Sequence, residues 1–131
     1  MSIAQQLEGI LVEASPYDRL VTDASLKPKP ISSYYKKELV KRIGKGTKIK
    51  VVKSETTMPR SWDFGNYTVL EITPPGAKKV RAAFTLNVAS DEASGSVAMD
   101  APYGVIPGQR SKDPKKVMQS MVSDVGSHLK P

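Results

Sequence analysis

Side chains that commonly do chemistry are scarce in this sequence of 131 residues, which has one histidine, His128, and no cysteine. Without a second His or any Cys, a conventional zinc site is hard to build, and the chain has no thiolate nucleophile or disulfide. His128 lies near the C-terminal end of a predicted helix, where a basic side chain interacts favourably with the helix dipole. Asp91 and Glu92 are neighbours in a predicted turn, where consecutive side chains diverge, so they make a poor acid–base pair. The sequence therefore predicts no catalytic residues, no metal site and no cofactor, and favours a protein that is not an enzyme.

One short stretch, Gly44-Lys45-Gly46-Thr47, shares residue types with a phosphate-binding loop. The full pattern of such a loop is missing, and the predicted order here is helix to strand rather than strand to helix. We interpret this stretch as the end of a helix followed by a turn.

Positive charge is concentrated in one part of the chain. The formal net charge is +7, and residues 26–60 contain eleven basic and two acidic side chains, whereas residues 91–131 contain five of each. A concentrated cationic field attracts polyanions such as nucleic acid, an anionic membrane or an acidic protein surface. The alternative is that these lysines only keep a helix face and an edge strand soluble.

Alternating segments between Gly46 and Asp100 predict the sheet that must position these cations. In the clearest segment, from Lys79 to Val88, apolar and polar side chains alternate with the period of two that marks a strand with one buried face. Pro74-Pro75-Gly76 supplies a tight reversal before it. A short last strand is predicted from Ser96 to Asp100, and the Pro- and Gly-rich residues 101–111 are predicted as turns. We predict an α+β fold in which a roughly four-stranded antiparallel meander, about 47–100, packs against helices.

Three helices are predicted around this sheet. An N-terminal helix spans 2–14, a second begins at Ser32 or Ser33 and closes at Gly44, and a last one begins after Asp113 as N-cap with Pro114 at the first helical position. The whole chain, 1–131, is predicted to be a single domain. Residues 1–30 form the N-terminal helix and an extended, proline-containing arm, and residues 31–131 form the second helix, the sheet and the C-terminal helix.

The predicted sheet places cations beside an aromatic ring. If Leu70 and Ile72 face the core, Tyr67 lies on the opposite face together with basic residues of the neighbouring strands. Phosphates would meet Lys and Arg there while bases stack on the ring. The sheet platform and its loop extension, together with a second basic cluster at the last helix, give these candidate nucleic-acid-binding residues: Lys37, Lys41, Lys45, Lys48, Lys50, Arg60, Trp62, Tyr67, Lys79, Arg81, Lys112, Lys115 and Lys116. The alternative for Trp62 and its neighbour Phe64 is that both are buried under their loop as a small satellite core.

Two functions remain open at this point. The first is a small basic protein that binds single-stranded or structured RNA or DNA with low sequence specificity, because no helix with base-reading Asn, Gln and Arg stands out. The second is a protein-binding or assembly subunit, for example an oligomeric or virion-associated protein, whose residues 1–30 contact other chains, including further copies of itself. The first fifteen residues carry no Lys or Arg, unlike a secretory signal peptide, and no apolar run is long enough for a membrane helix. We therefore expect a cytoplasmic (intracellular) or virion-associated protein with no membrane partner.

Overall fold

A computed structural model describes residues 28–130 of the chain. Within these residues, one helix precedes and one follows a five-stranded antiparallel sheet, in which each strand pairs with the next along the chain. The elements are α1 (Pro28–Ile43), β1 (Lys48–Thr57), β2 (Phe64–Thr73), β3 (Val80–Val88), β4 (Ala93–Met99), β5 (Gly104–Ser111) and α2 (Pro114–Leu129). The α+β prediction is therefore confirmed, with one strand more than expected. The predicted helix at 2–14 and most of the arm at 15–30 lie outside the described residues.

Both helices pack on the same face of the sheet and form the core with it. α1 lies over β1 and β2, and α2 lies over β3, β4 and β5. At the centre of this layer the buried ring of Tyr35 on α1 stacks on Phe84 of β3, with 4.4 Å between ring centroids and 21° between planes. Most large apolar side chains thus lie on one face, as the alternation in β3 predicts. The opposite face of the sheet has no described helix packed against it.

The strand β5 is absent from the sequence-based prediction, which assigned residues 101–111 to turns. Pro107 and Gly108 lie in β5 at a register shift, between the pairs Val97 with Ile106 and Gly95 with Gln109. Proline is tolerated on an edge strand or at a bulge because the ladder hydrogen bond that it cannot donate is not needed there. Turn-forming residues therefore lie within a real strand here. The fourth strand also begins earlier than predicted, at Ala93 instead of Ser96.

The first described helix also begins earlier than predicted, at Pro28 instead of Ser32 or Ser33. The expectation that the chain stays extended through residue 30 is therefore wrong. Proline is compatible with the first turn of a helix, because the N–H groups there have no intrahelical acceptor in any case. The end of the helix agrees with the prediction, since Gly44 follows Ile43 with φ of 132°. At the other end of the chain, Asp113 caps α2 by accepting a hydrogen bond from the backbone N–H of Lys115.

Within residues 28–130 neither helix has the length and apolar character needed to cross a membrane.

Candidate nucleic-acid interface

The face of the sheet opposite the helices is here called the open face. Pairing registers place side chains of all five strands on it in rows that run across the sheet. One row carries charge, with Lys50, Glu71 and Arg81 side by side on β1, β2 and β3. The other residues of the open face are Lys48, Lys53, Glu55 and Thr57 on β1, Gly65, Tyr67, Val69 and Thr73 on β2, Ala83, Thr85 and Asn87 on β3, Ser94, Ser96 and Ala98 on β4, and Val105 and Arg110 on β5.

Glu71 organises the cations at one end of the open face. Arg81 donates a hydrogen bond from Nη2 to Oε2 of Glu71 at 3.0 Å, and Nζ of Lys79 lies 3.8 Å from Oε1 of the same carboxylate. The pKa of Glu71 is lowered, first because of the hydrogen bond from Arg81 and also because Lys79, Arg81 and Lys50 lie nearby. Glu71 is therefore ionised at neutral pH and neutralises part of the basic surface.

Lys48 and Lys50 are less neutralised by nearby carboxylates than Lys79 and Arg81 are. Both side chains are exposed on β1, and within the described part of the chain neither forms a salt bridge. Lys48 faces Thr73 across the ladder, so no carboxylate lies opposite it. These two lysines are the cations on the open face best placed to meet phosphate.

Tyr67 lies near the middle of β2 on the open face and is half-buried. Nζ of Lys53 lies over its ring at 5.9 Å from the centroid and 3.6 Å from Glu55. A Lys over a Tyr ring is held by the attraction between the cation and the ring quadrupole. The ring is therefore partly covered by Lys53, and a base would stack on it only where this lysine moves aside.

Beyond Tyr67 the open face is lined by small polar side chains and ends in a shallow cleft. The cleft has a volume of about 200 Å³ and lies where β4 and β5 change register. Its lining includes the amide of Asn87, the hydroxyls of Ser94 and Ser96, and the guanidinium of Arg110. Arg110 is 67% exposed and forms a salt bridge with Glu92. These groups offer hydrogen bonds to a polar ligand on a floor without bulky side chains.

The structure separates the thirteen residues that the sequence marked as candidates for nucleic-acid binding. Lys48, Lys50, Tyr67, Lys79 and Arg81 lie together on the open face, as the alternation predicts. The remaining residues lie on the helix side of the molecule or in connections: Lys37 and Lys41 on α1, Lys115 and Lys116 on α2, Lys45 after α1, Arg60 and Trp62 between β1 and β2, and Lys112 between β5 and α2. Arg60 follows the end of β1 farthest from Lys48, so these two cations lie toward opposite ends of the sheet.

The two aromatic residues of the loop between β1 and β2 differ in their environment. Phe64 begins β2 and is partly buried against the hydrophobic core, on the helix side of the sheet. Trp62 is partly buried in the loop, and its backbone N–H donates to the carbonyl of Pro59 at 3.2 Å. Phe64 is thus partly buried, as the alternative expected, but against the main core and not in a satellite cluster, and it does not extend the open face.

Sequence reasoning did not place Lys53, Ser94, Ser96 and Arg110 on this surface, and it predicted the outward orientation of Asn87 without counting it among the binding residues. Lys53 reaches the open face because β1 has a bulge between Val51 and Lys53, which shifts the alternation by one residue. The signal in the sequence is the doublet Val51-Val52, since two successive apolar residues break a strict alternation. No equivalent signal exists for Arg110, because its position depends on a strand that carries Pro and Gly.

Comparisons of the chain with protein-family models, with curated proteins and with solved structures found no match. Within residues 28–130, no group of three or more His, Asp or Glu side chains is arranged to hold a metal ion.

Proposed function

We propose that this protein binds single-stranded or structured nucleic acid with low sequence specificity, without catalysis, through the open face of its sheet. The observation that carries the proposal is the composition of that face. It combines exposed cations at one end, a tyrosine near its middle and a polar cleft with Arg110 at the other end.

A single strand that crosses this face would meet cations, small side chains and the polar groups of the cleft in turn. Lys and Arg neutralise phosphates and release counterions, which supplies affinity without sequence preference. Small side chains such as Ala83, Thr85 and Ala98 let bases approach the sheet, and stacking on a ring adds about 1–3 kcal/mol per base. The hydroxyl and amide groups of the cleft can donate hydrogen bonds to base edges or accept them, and the guanidinium of Arg110 can donate them. An intracellular or virion-associated setting is part of this proposal, since nucleic acid must be accessible to the protein.

The primary test is fluorescence anisotropy with a labelled single-stranded oligonucleotide at low and moderate salt. We expect binding at micromolar protein or below, with affinity that falls as salt rises. The absence of salt-sensitive binding would rule out the proposed function.

Two matched substitutions locate the surface. Glu71 on the open face and Glu38 on α1 each form salt bridges with two cations, Lys79 and Arg81 in one case and Lys41 and Arg42 in the other. We expect Glu71→Gln to raise oligonucleotide affinity roughly three- to tenfold, because it removes a repulsive charge and releases two cations. Glu38→Gln makes the same chemical change on the helix side, beside Lys41 and Arg42, and is expected to raise affinity less than Glu71→Gln does. An increase with Glu38→Gln alone would place the interface on the helices instead.

A second candidate function is an assembly subunit, and exposed apolar side chains on the edges of the sheet favour it. Val105 on β5 is 73% exposed and Val52 on β1 is 44% exposed. Edge strands with free backbone groups pair readily with another chain. For an assembly subunit we expect light scattering to give a mass that is a multiple of 14.2 kDa, and Val105→Lys or removal of residues 1–25 to lower it. A monomeric mass for the unmodified protein would exclude self-assembly.

A further inference from the structure

A cleft between the C-terminal ends of α1 and α2, on the helix side of the molecule, has the chemistry of an anion site. It has a volume of about 330 Å³ and is lined by Lys41, Arg42, Ser123, Gly126, Ser127 and Lys130. Three of these six residues are cationic, two carry hydroxyls and none carries a carboxylate. A tetrahedral oxyanion such as phosphate is the ligand that charge-assisted donors of this kind favour.

Arg42 is held in this cleft by the close approach of the two helices. A Cβ built on the buried Gly126 would lie 2.9 Å from Cβ of Arg42, so a larger residue at this position would force the helices apart. The Nε of Arg42 is buried and has no hydrogen-bond partner among the described residues. A buried donor without an acceptor is unusual, and here it belongs to a side chain that lines the cleft.

The carboxylate of Glu38 lies beside Lys41 and Arg42 but binds them only loosely. Glu38 lies 3.7 Å from Nζ of Lys41 and 3.8 Å from Nη2 of Arg42, and both distances exceed that of a hydrogen bond. Contacts of this length between partly exposed groups contribute little, so a phosphate can replace them. The salt bridge between Arg81 and Glu71 on the open face is tighter, at 3.0 Å.

A second cleft of about 470 Å³ lies beside it along α2 and also has Arg42 and Ser123 in its lining. The second cleft adds Lys116 and Ser120, together with Asp124, whose carboxylate accepts a hydrogen bond from Gln109 at 3.0 Å. Ser120, Ser123 and Ser127 follow one another at helical spacing along the outer face of α2. Serine is a poorer helix former than alanine, so helix formation alone does not explain this stripe of hydroxyls.

We propose that the cleft between α1 and α2 binds the phosphate groups of a compact polyphosphate ligand. Arg42, Lys41 and Lys130 supply the charge, and Ser123 and Ser127 donate through their hydroxyls. The two neighbouring clefts, of about 330 and 470 Å³, together have room for more than one phosphate. This site lies on the other side of the molecule from the open face and does not depend on the proposed function.

The test uses the full chain and sodium tripolyphosphate as the probe, with amide NMR spectra recorded during a titration. We expect saturable shifts of the Ser123, Gly126 and Ser127 amides. Arg42→Met together with Lys130→Met is expected to weaken binding by at least about tenfold, and Met keeps the methylene stem that packs on Gly126. Lys29→Met with Lys36→Met removes the same charge from α1 outside the cleft and is expected to leave the affinity within about twofold.

Further arms separate this site from the open face and from nucleic acid. Ser123→Ala is expected to weaken binding severalfold while leaving net charge unchanged. Lys48→Glu with Lys50→Glu, on the open face, is expected to leave unchanged the chemical-shift changes that tripolyphosphate causes in the cleft amides. The proposal would be overturned if both double methionine variants lost tripolyphosphate affinity equally. It would also be overturned if the amide shifts of the unmodified protein did not saturate with tripolyphosphate. If a short oligonucleotide shifted the cleft amides and tripolyphosphate did not, the ligand would be nucleic acid and the assignment to a compact polyphosphate would be wrong.

Discussion

Phe84→Ala is expected to lower the free energy of unfolding by about 3–5 kcal/mol, the range found when a fully buried aromatic ring is truncated. Phe84 has no exposed surface and stacks on Tyr35, which joins α1 to the centre of the sheet. Its removal opens a cavity at this junction and also loses the ring pairing, which is worth about 0.5–1.5 kcal/mol beyond the buried area. Urea unfolding followed by circular dichroism measures the loss.

The neighbouring residue Thr85 provides the control, because it lies next to Phe84 in the chain and points to the open face. Thr85→Ala is expected to change the free energy of unfolding by no more than about 0.5 kcal/mol, as for most surface substitutions. A larger loss with Thr85→Ala than with Phe84→Ala would mean that the two faces of the sheet are assigned the wrong way round.

The same alternation explains why much of the fold follows from the sequence. In β3, buried and accessible side chains alternate without interruption from Val80 to Val88, so both the strand and its orientation are predictable. The helix α2 is equally clear, since Asp113 and Pro114 define its start and its apolar residues recur at helical spacing. These signals are local, because each depends on residues a few positions apart.

The features that the sequence did not reveal depend on contacts between distant segments. β5 contains Pro107 and Gly108, and only its pairing with β4 makes it a strand. Likewise, the bulge at Val52 that turns Lys53 to the open face is defined by the register against β2. Local propensity gives no account of either, since an edge position and a partner strand determine the outcome.

The candidate surface shows the same division. The positions of Lys48, Lys50, Lys79 and Arg81 on one face follow from alternation alone. Their pairing does not, because the carboxylate of Glu71 reaches Arg81 and Lys79 only through the register of β2 with β3. The sequence therefore overestimates the free charge of this face.

Lys48→Glu with Lys50→Glu is expected to lower oligonucleotide affinity roughly a hundredfold at about 0.1 M salt. Each phosphate contact with a single strand adds about 0.7 to the slope of log affinity against log salt, or about fivefold in affinity at this salt concentration. Loss of two contacts therefore accounts for about 25-fold, and the two new negative charges add repulsion. The salt slope itself is expected to fall by about 1.4.

Lys29→Glu with Lys36→Glu on α1 is the matched control for this variant. Both double variants change the net charge equally, so the difference between them reports where the oligonucleotide lies rather than how basic the protein is. The Lys50→Glu substitution also puts a second carboxylate opposite Glu71 across the ladder, with an expected stability cost of at most about 1 kcal/mol. Thermal unfolding checks that this variant remains folded at the temperature of the assay. Equal weakening by the two variants would show that the cations act only through net charge, and the open face would then have no special role in binding.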